Sequence, residues 1–230
     1  PDGLPDADRA ALATAIDEAW QPRGAGDAIA ASPIGRVLAV AERIDTLAGG
    51  FAAGLRPTGN KDPFALRRAA LGLARTVIEG GLEFDLPAAL EAAIKALPAP
   101  ARPEDDAVHA LAGELYDFIL DRLRGYYAER GVPAQQFNAV AALRPASLLD
   151  FDRRIDAIAS FARLPEAAAL AAADKRIRNI LRKAEGDVPD RVDAALLVEP
   201  AEQALASAVE SAWEDAGPAL ARRDYVAGLA

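Results

Sequence analysis

At 230 residues, with 26 basic and 35 acidic side chains, the chain is long enough for two modest domains and carries a net charge of -9. Taken whole, that balance argues against a nucleic-acid binder. Cysteine is absent, which excludes a disulfide framework, a thiolate metal site and a cysteine nucleophile together and suits a reducing cytoplasm.

Hydrophobic residues make up 52% of the chain but aromatics only 6%. Much of the difference is alanine, which favours helix over strand, so an all-α protein built of helical bundles is expected. No apolar run approaches the roughly 20 residues needed to span a bilayer. The first ten residues, PDGLPDADRA, are acidic where a signal peptide would be basic. Methionine is also absent, and RRDYVAGLA closes the sequence without a helix stop. Both are expected of a segment cut from a longer protein.

In chain order, Leu12, Ile16 and Trp20 recur at helical spacing before Pro22, Gly24 and Gly26 interrupt them. Ser32-Pro33 supplies an N-cap and a first-turn proline for a helix with an apolar stripe of Ile34, Val37, Leu38, Ala41, Ile44 and Leu47, stopped by Gly49-Gly50. Asp62-Pro63 repeats that start for Leu66, Ala70, Leu73 and Val77, closed by Gly80-Gly81. Asp85 caps a helix through Leu90, Ile94 and Leu97. PAPARPEDD, Pro98 to Asp106, then reads as a connector, dividing the chain into domains at 1–98 and 99–230. The longest pattern, Val108 to Tyr126, predicts a helix ending at Gly131. Short helices follow around Phe137 and Val140 and from Ser147, then one from Pro165 to a stop at Gly186, and one from Pro200 to Trp213 broken by Gly217-Pro218.

Charge is distributed unevenly along this pattern. Residues 56–75 carry a net +4 and residues 147–183 a net +3, two basic islands in an acidic chain. The second island is concentrated in KRIRNILRK, Lys175 to Lys183, where Ile177, Ile180 and Leu181 are expected to turn inward while Lys175, Arg178 and Arg182 share an outer face. Such a face suits phosphate contacts. It equally suits a solvated helix end, where the dipole favours basic residues. In the first island Lys61 lies in a loop, with Arg67, Arg68 and Arg75 on the helix behind it. The loop lacks the lysine-serine or lysine-threonine ending of a phosphate loop, and Asp62 competes for the helix amides.

His109 is the only histidine, which removes a histidine dyad or a histidine-rich metal centre and leaves a surface or packing role. Trp20 and Trp213 fall on inward helix positions and are expected in the core, as are Tyr116, Tyr126 and Tyr127, although an aromatic beside a basic surface can also stack on an unpaired base.

Four blocks carry a family resemblance in order: AERIDTLAGGF (Ala41 to Phe51), PTGNKDPFALRRAALG (Pro57 to Gly72), DFDRRIDAIASF (Asp150 to Phe161) and AALAAADKRIRNILRK (Ala168 to Lys183). Together they resemble the C-terminal half of the bacterial glycyl-tRNA synthetase beta subunit. The resemblance implies an HD-like helical region over 1–98 and a helical anticodon-binding domain, truncated at its end, over 99–230. Asp45 matches the last aspartate of an HD-type metal motif whose other ligands would be histidines this chain lacks.

The resemblance further implies a cytoplasmic subunit of a ligase complex, not catalytic alone, whose partners are the alpha subunit and tRNA-Gly in a heterotetramer, with neither membrane nor DNA among them. ATP and Mg belong to the complete enzyme at its alpha subunit, and no cofactor is implied for this segment. Candidate tRNA contacts are Lys175, Arg176, Arg178, Asn179, Arg182 and Lys183, with Lys61, Arg67 and Arg68 contacting tRNA or the other subunit. Asp174 and Arg178 depart from the family pattern, standing where asparagine and serine are usual. A helical interaction scaffold and a degenerate HD-type phosphohydrolase are the competing readings.

Overall fold

The computed structural model describes residues 5–24, 26–184 and 192–229. Among them the regular structure is ten α-helices, one short 3-10 turn and no strand, as the alanine-rich composition predicts. Contacts divide the chain into two units, Pro1–Asp152 and Arg153–Ala230.

The first unit begins with α1 (Asp6–Glu18) and α2 (Pro33–Ala52), which pack together. Ser32 caps α2 as expected, its Oγ accepting from the Gly35 amide at 3.0 Å. That hydroxyl also donates to the Glu18 carboxylate, which accepts from the Ser32 amide at 3.0 Å. One cap thus ties the end of α1 to the start of α2. The arrangement requires a bare Gly35, since a Cβ there would lie 2.8 Å from that of Glu18.

Helix α2 runs through Gly49-Gly50 instead of stopping there. A Cβ on Gly50 would come within 3.1 Å of both Leu66 methyl carbons, so that glycine lets α3 (Leu66–Glu79) approach. Of the expected apolar stripe, Ile44 and Leu47 are buried but Ile34 and Val37 are exposed, and the inward face is completed by Gly35, Ala39, Arg43, Ala48 and Phe51. The small residues Gly35, Ala39 and Ala48 on that face allow close packing beside the larger Arg43, Leu47 and Phe51.

Helix α3 starts three residues later than Asp62-Pro63 suggests. Its buried residues include Leu66, Ala70, Leu73 and Val77, as expected. Asp85 caps α4 (Leu86–Ala96) through the Ala88 amide at 2.8 Å. The long α5 (Asp105–Glu129) packs on α2, α3 and α4, then ends before Gly131, whose φ is +81°. The Pro98–Asp106 segment therefore joins two helices of one unit, and the division by contacts falls instead inside α7 (Leu148–Phe161). The long helix buries residues on several sides and so binds together what the prolines seem to separate.

Helix α6 (Ala134–Ala142) and the start of α7 close this unit around Tyr127, Phe137 and Phe151, whose ring centroids lie 5.4 to 5.9 Å apart. Tyr127 donates to Asp152 at 2.8 Å and Tyr116 to the Pro145 carbonyl at 2.8 Å. Burial raises both phenols, that of Tyr116 to about 12. Both tyrosines are core residues, as expected, while Tyr126 is half-buried.

In the second unit α8 (Ala167–Leu181) leads to α9 (Pro200–Ala221) and α10 (Tyr225–Gly228). The glycine stop expected at Gly186 lies outside the described residues. Helix α9 continues through Gly217-Pro218 rather than breaking. Its last turn is held from beyond: the Asp224 amide donates to the Ala219 carbonyl at 2.9 Å, and Leu220 packs against Gly228. Tertiary contact there offsets a proline that would otherwise disfavour helix.

Two glycines in helices of the first unit differ in what surrounds them. A Cβ on Gly72 would lie 2.6 Å from Nε of the buried Arg43, whereas one on Gly113 meets nothing within 4 Å. Gly72→Ala is expected to destabilise by about 1–3 kcal/mol and Gly113→Ala to stabilise by about 0.5–1 kcal/mol, read from thermal or denaturant midpoints. The Ser32 hydroxyl and amide hold the Glu18 carboxyl below the usual carboxylate range. Because the folded value is depressed, its contribution is full above the unfolded value of roughly 4.3 and is lost as pH falls through the folded one. Glu18→Gln should therefore lower stability at pH 7 and make the acid limb of the stability curve shallower than in the parent chain.

Candidate nucleic-acid interface

Helix α8 brings the second basic island together. At 100° per residue, Lys175, Arg176, Arg178 and Asn179 fall within roughly 160° of its circumference, while Leu170, Ile177, Ile180 and Leu181 occupy the opposite side, and Arg182 and Lys183 follow in the turn that ends the helix. The expected outer face is present, but the expected inward one is not. Ile177 is 55% and Ile180 59% exposed, and every residue from 168 to 184 is exposed. The 3.6-residue period fixes which side chains share a face; what covers that face is decided by neighbouring elements, and none among the described residues covers this one.

Hydrogen bonding sorts the basic residues. Arg178 Nε lies 2.9 Å from Asp174 Oδ2 and donates to Oδ1 at 3.0 Å. Asp174 and Arg178 are thus each other's partner, one turn apart. Arg182 donates to Asn179 Oδ1 at 3.0 Å, leaving the Asn179 amide nitrogen for other acceptors. Lys175, Arg176 and Lys183 make no side-chain hydrogen bond or ion pair among the described residues. Exposed pairs of the Arg178–Asp174 kind contribute well under about 1 kcal/mol and exchange readily for a better anion.

The first island is put to a different use. Asp62 accepts from the Leu66 and Arg67 amides, each at 2.9 Å, serving the start of α3 from outside the helix. Ala65, at φ +55°, is the residue that turns the chain into it. The Arg67 guanidinium donates to the Gly59 carbonyl at 2.7 Å and so fastens the turn in which Thr58 and Lys61 bridge. Arg75 is buried, paired with Glu79 at 2.7 Å and donating to the Asp27 carbonyl at 2.8 Å. Lys61 and Arg68 remain exposed. Of the three candidates in this island, Arg67 has a structural task and the other two face solvent.

Two aromatics placed in the core by spacing are on the surface: Trp20 is 61% and Trp213 66% exposed. Leu12 and Ile16 are exposed with Trp20, since α1 turns Ala15 and Glu18 inward instead. Phe64, which no periodicity singles out, is exposed beside Arg68. His109 is a surface residue whose Nδ1 lies 2.7 Å from Glu91. Asp45 is exposed on α2, and among the described residues no three histidine or acidic side chains are grouped to hold a metal ion. No helix of the described residues is long and apolar enough to cross a membrane.

A family model described as the glycyl-tRNA synthetase beta subunit matches residues 4–142. The chain belongs to the glycyl-tRNA synthetase beta subunit family. It is 66% identical over 220 residues to a glycine–tRNA ligase beta subunit of Xanthomonas campestris pv. campestris (strain 8004), covering 95% of this chain and 32% of that one. Similar proteins of the same name occur in Xylella fastidiosa (strain M12), 51% identical over 247 residues and covering 95% and 34%, and in Pseudomonas aeruginosa (strain LESB58), 49% over 221 residues and covering 95% and 31%. The chain thus spans about a third of the length of the relatives it matches. The family model includes Lys61, Arg67 and Arg68 and ends before α8, whereas the relatives align over nearly the whole chain.

Two substitutions separate the cap from the surface in the first island. Asp62→Ala should cost about 0.5–2 kcal/mol by leaving two α3 amides without a partner. Arg68→Ala, at an exposed position, should stay within about 0.5 kcal/mol of the parent. Urea midpoints of the two variants check both expectations.

Proposed function

We propose that this chain is a tRNA-recognition part of a glycine–tRNA ligase beta subunit, not catalytic alone, that supports ATP-dependent aminoacylation of tRNA-Gly by the alpha subunit. The observation that carries the reading is α8 and the turn that ends it: six basic or amide side chains on one exposed arc, in a member of a tRNA synthetase family. Cations on a rigid helix neutralise backbone phosphates and release their counterions, and affinity gained in this way falls steeply with salt.

Lys175, Arg176 and Lys183 then supply phosphate contacts directly, while Arg178 contributes once its internal partner Asp174 is displaced. The Asn179 amide, one side already held by Arg182, is placed for a base edge or a phosphate oxygen. On this reading, α8 belongs to an anticodon-binding type of bundle and the helices before Pro98 to an HD-like region. ATP and Mg act at the alpha subunit, and the assembly is a cytoplasmic heterotetramer. The net charge of -9 is compatible with this function because the contact is local: acidic surfaces elsewhere discourage non-specific binding of the same RNA.

Replacing Lys175, Arg176 and Lys183 together with alanine should weaken tRNA-Gly binding and make its log-log salt slope shallower by roughly 2 to 3, with helicity unchanged. Asp174→Asn should act oppositely, raising affinity severalfold by removing a negative charge and releasing Arg178. Equal binding of the parent and triple variant across salt concentrations would place the RNA contact elsewhere. Binding of an acidic protein partner through α8, with no affinity for tRNA, would favour the scaffold reading.

A further inference from the structure

The first unit contains an open cleft of about 380 Å³ between the end of α1 and the start of α3. Trp20 and Phe64, both largely exposed, belong to its lining. Arg43 and Pro22 contribute from beneath, and Arg23, Glu42, Thr46 and Arg68 complete the polar part. Most of these polar groups are already engaged. Arg43 donates to four backbone carbonyls, Arg23 pairs with Asp17 at 2.8 Å, and Thr46 donates to Glu42 Oε1 at 2.9 Å. The Arg68 guanidinium is not: it makes no hydrogen bond or ion pair among the described residues. The second carboxylate oxygen of Glu42 likewise has no protein donor among them.

Two aromatic faces, one unengaged cation and one carboxylate oxygen in a small concavity match a particular chemistry. Aromatic rings stack on a planar base, an arginine attracts a phosphate, and a carboxylate accepts from an exocyclic amine. We infer that this cleft binds one unpaired RNA nucleotide, its base against Trp20 and Phe64, its phosphate at Arg68 and an amino-bearing edge toward Glu42. The site rests on the reading of the chain as a tRNA binder and adds to it a second contact in the other unit, independent of α8. The Glu42 carboxylate accepts from the N4 amine of cytosine but repels the O4 carbonyl that uracil carries at the same position, so the site should prefer cytidylate to uridylate although both stack alike.

The sequence contains only two tryptophans, Trp20 and Trp213, which makes the test direct. In the 230-residue chain carrying Trp213→Phe, emission reports Trp20 alone. Titration with oligocytidylate should quench it, and oligouridylate should bind several times more weakly. Phe64→Ala or Arg68→Glu should reduce oligocytidylate affinity about tenfold. Glu42→Gln, which can both donate and accept, should bring the two oligonucleotides to similar affinity. The quench should survive alanine at Lys175, Arg176 and Lys183. A chain that binds labelled tRNA-Gly but shows no Trp20 quench with oligocytidylate would overturn this site and leave the α8 reading standing. Quenching by oligocytidylate with no affinity for tRNA-Gly would support the cleft and overturn its parent reading. Quenching that follows protein concentration without RNA would assign the cleft to a second copy of the chain and overturn the inference.

Discussion

The arrangement of the first three helices depends on one buried cation. Arg43 is only 5% exposed and has no carboxylate among its hydrogen-bond partners; its guanidinium donates instead to the carbonyls of Ala39, Ala19, Trp20 and Pro22 at 2.9 to 3.3 Å. Burial pushes its pKa below the ordinary arginine value, but the planar group retains a proton that an amine at this depth would tend to lose. The Ala39 carbonyl is on α2 itself, one turn before Arg43, whereas those of Ala19, Trp20 and Pro22 belong to the end of α1 and the turn after it, where a helix leaves acceptors unsatisfied. Gly72 on α3 makes room for the same side chain. One residue therefore terminates α1, positions it on α2 and sets how closely α3 can come.

Around that centre the charged residues of the first unit divide into those that build and those that face outward. Arg75 and Arg67, like Arg43, satisfy loop carbonyls, and Arg56 reaches across to Glu114 on α5 at 2.7 Å. Arg68 and Lys61 have no such task. In the second unit, α8 presents both its basic and its apolar side to solvent. A cation without an internal partner is therefore the common property of the two surfaces that are candidates for RNA contact, and it arises in each unit from a different local fold.

Much of the helical architecture was legible in the sequence because helix punctuation is local. Ser32 and Asp85 each accept from an amide three residues on, and Gly131 takes the left-handed conformation that ends α5. Where reading failed, the cause lay in contacts distant along the chain. Gly49-Gly50 looks like a stop until Leu66 is placed against Gly50. Gly217-Pro218 looks like a break until the turn beyond Ala221 is seen to hold the last part of α9. Periodicity grouped Ile177 and Ile180 on one side of α8 but could not tell whether anything lies over it, and in α1 it favoured the side of Leu12 and Ile16 where Ala15 and Glu18 turn inward. The composition of the basic islands was readable in full. Which of their cations were committed elsewhere was not, since Arg67 meets Gly59 through a turn and Arg178 meets Asp174 only because both are helical.

The exposure of both tryptophans also has an optical consequence. An indole already surrounded by water in the native state has little further to travel on denaturation, so its emission maximum should barely move when the helices melt. The buried aromatic cluster consists of Tyr127, Phe137 and Phe151, whose signals are masked by indole light. In this chain, far-ultraviolet dichroism follows the fold, while tryptophan colour and intensity follow what settles on the surface.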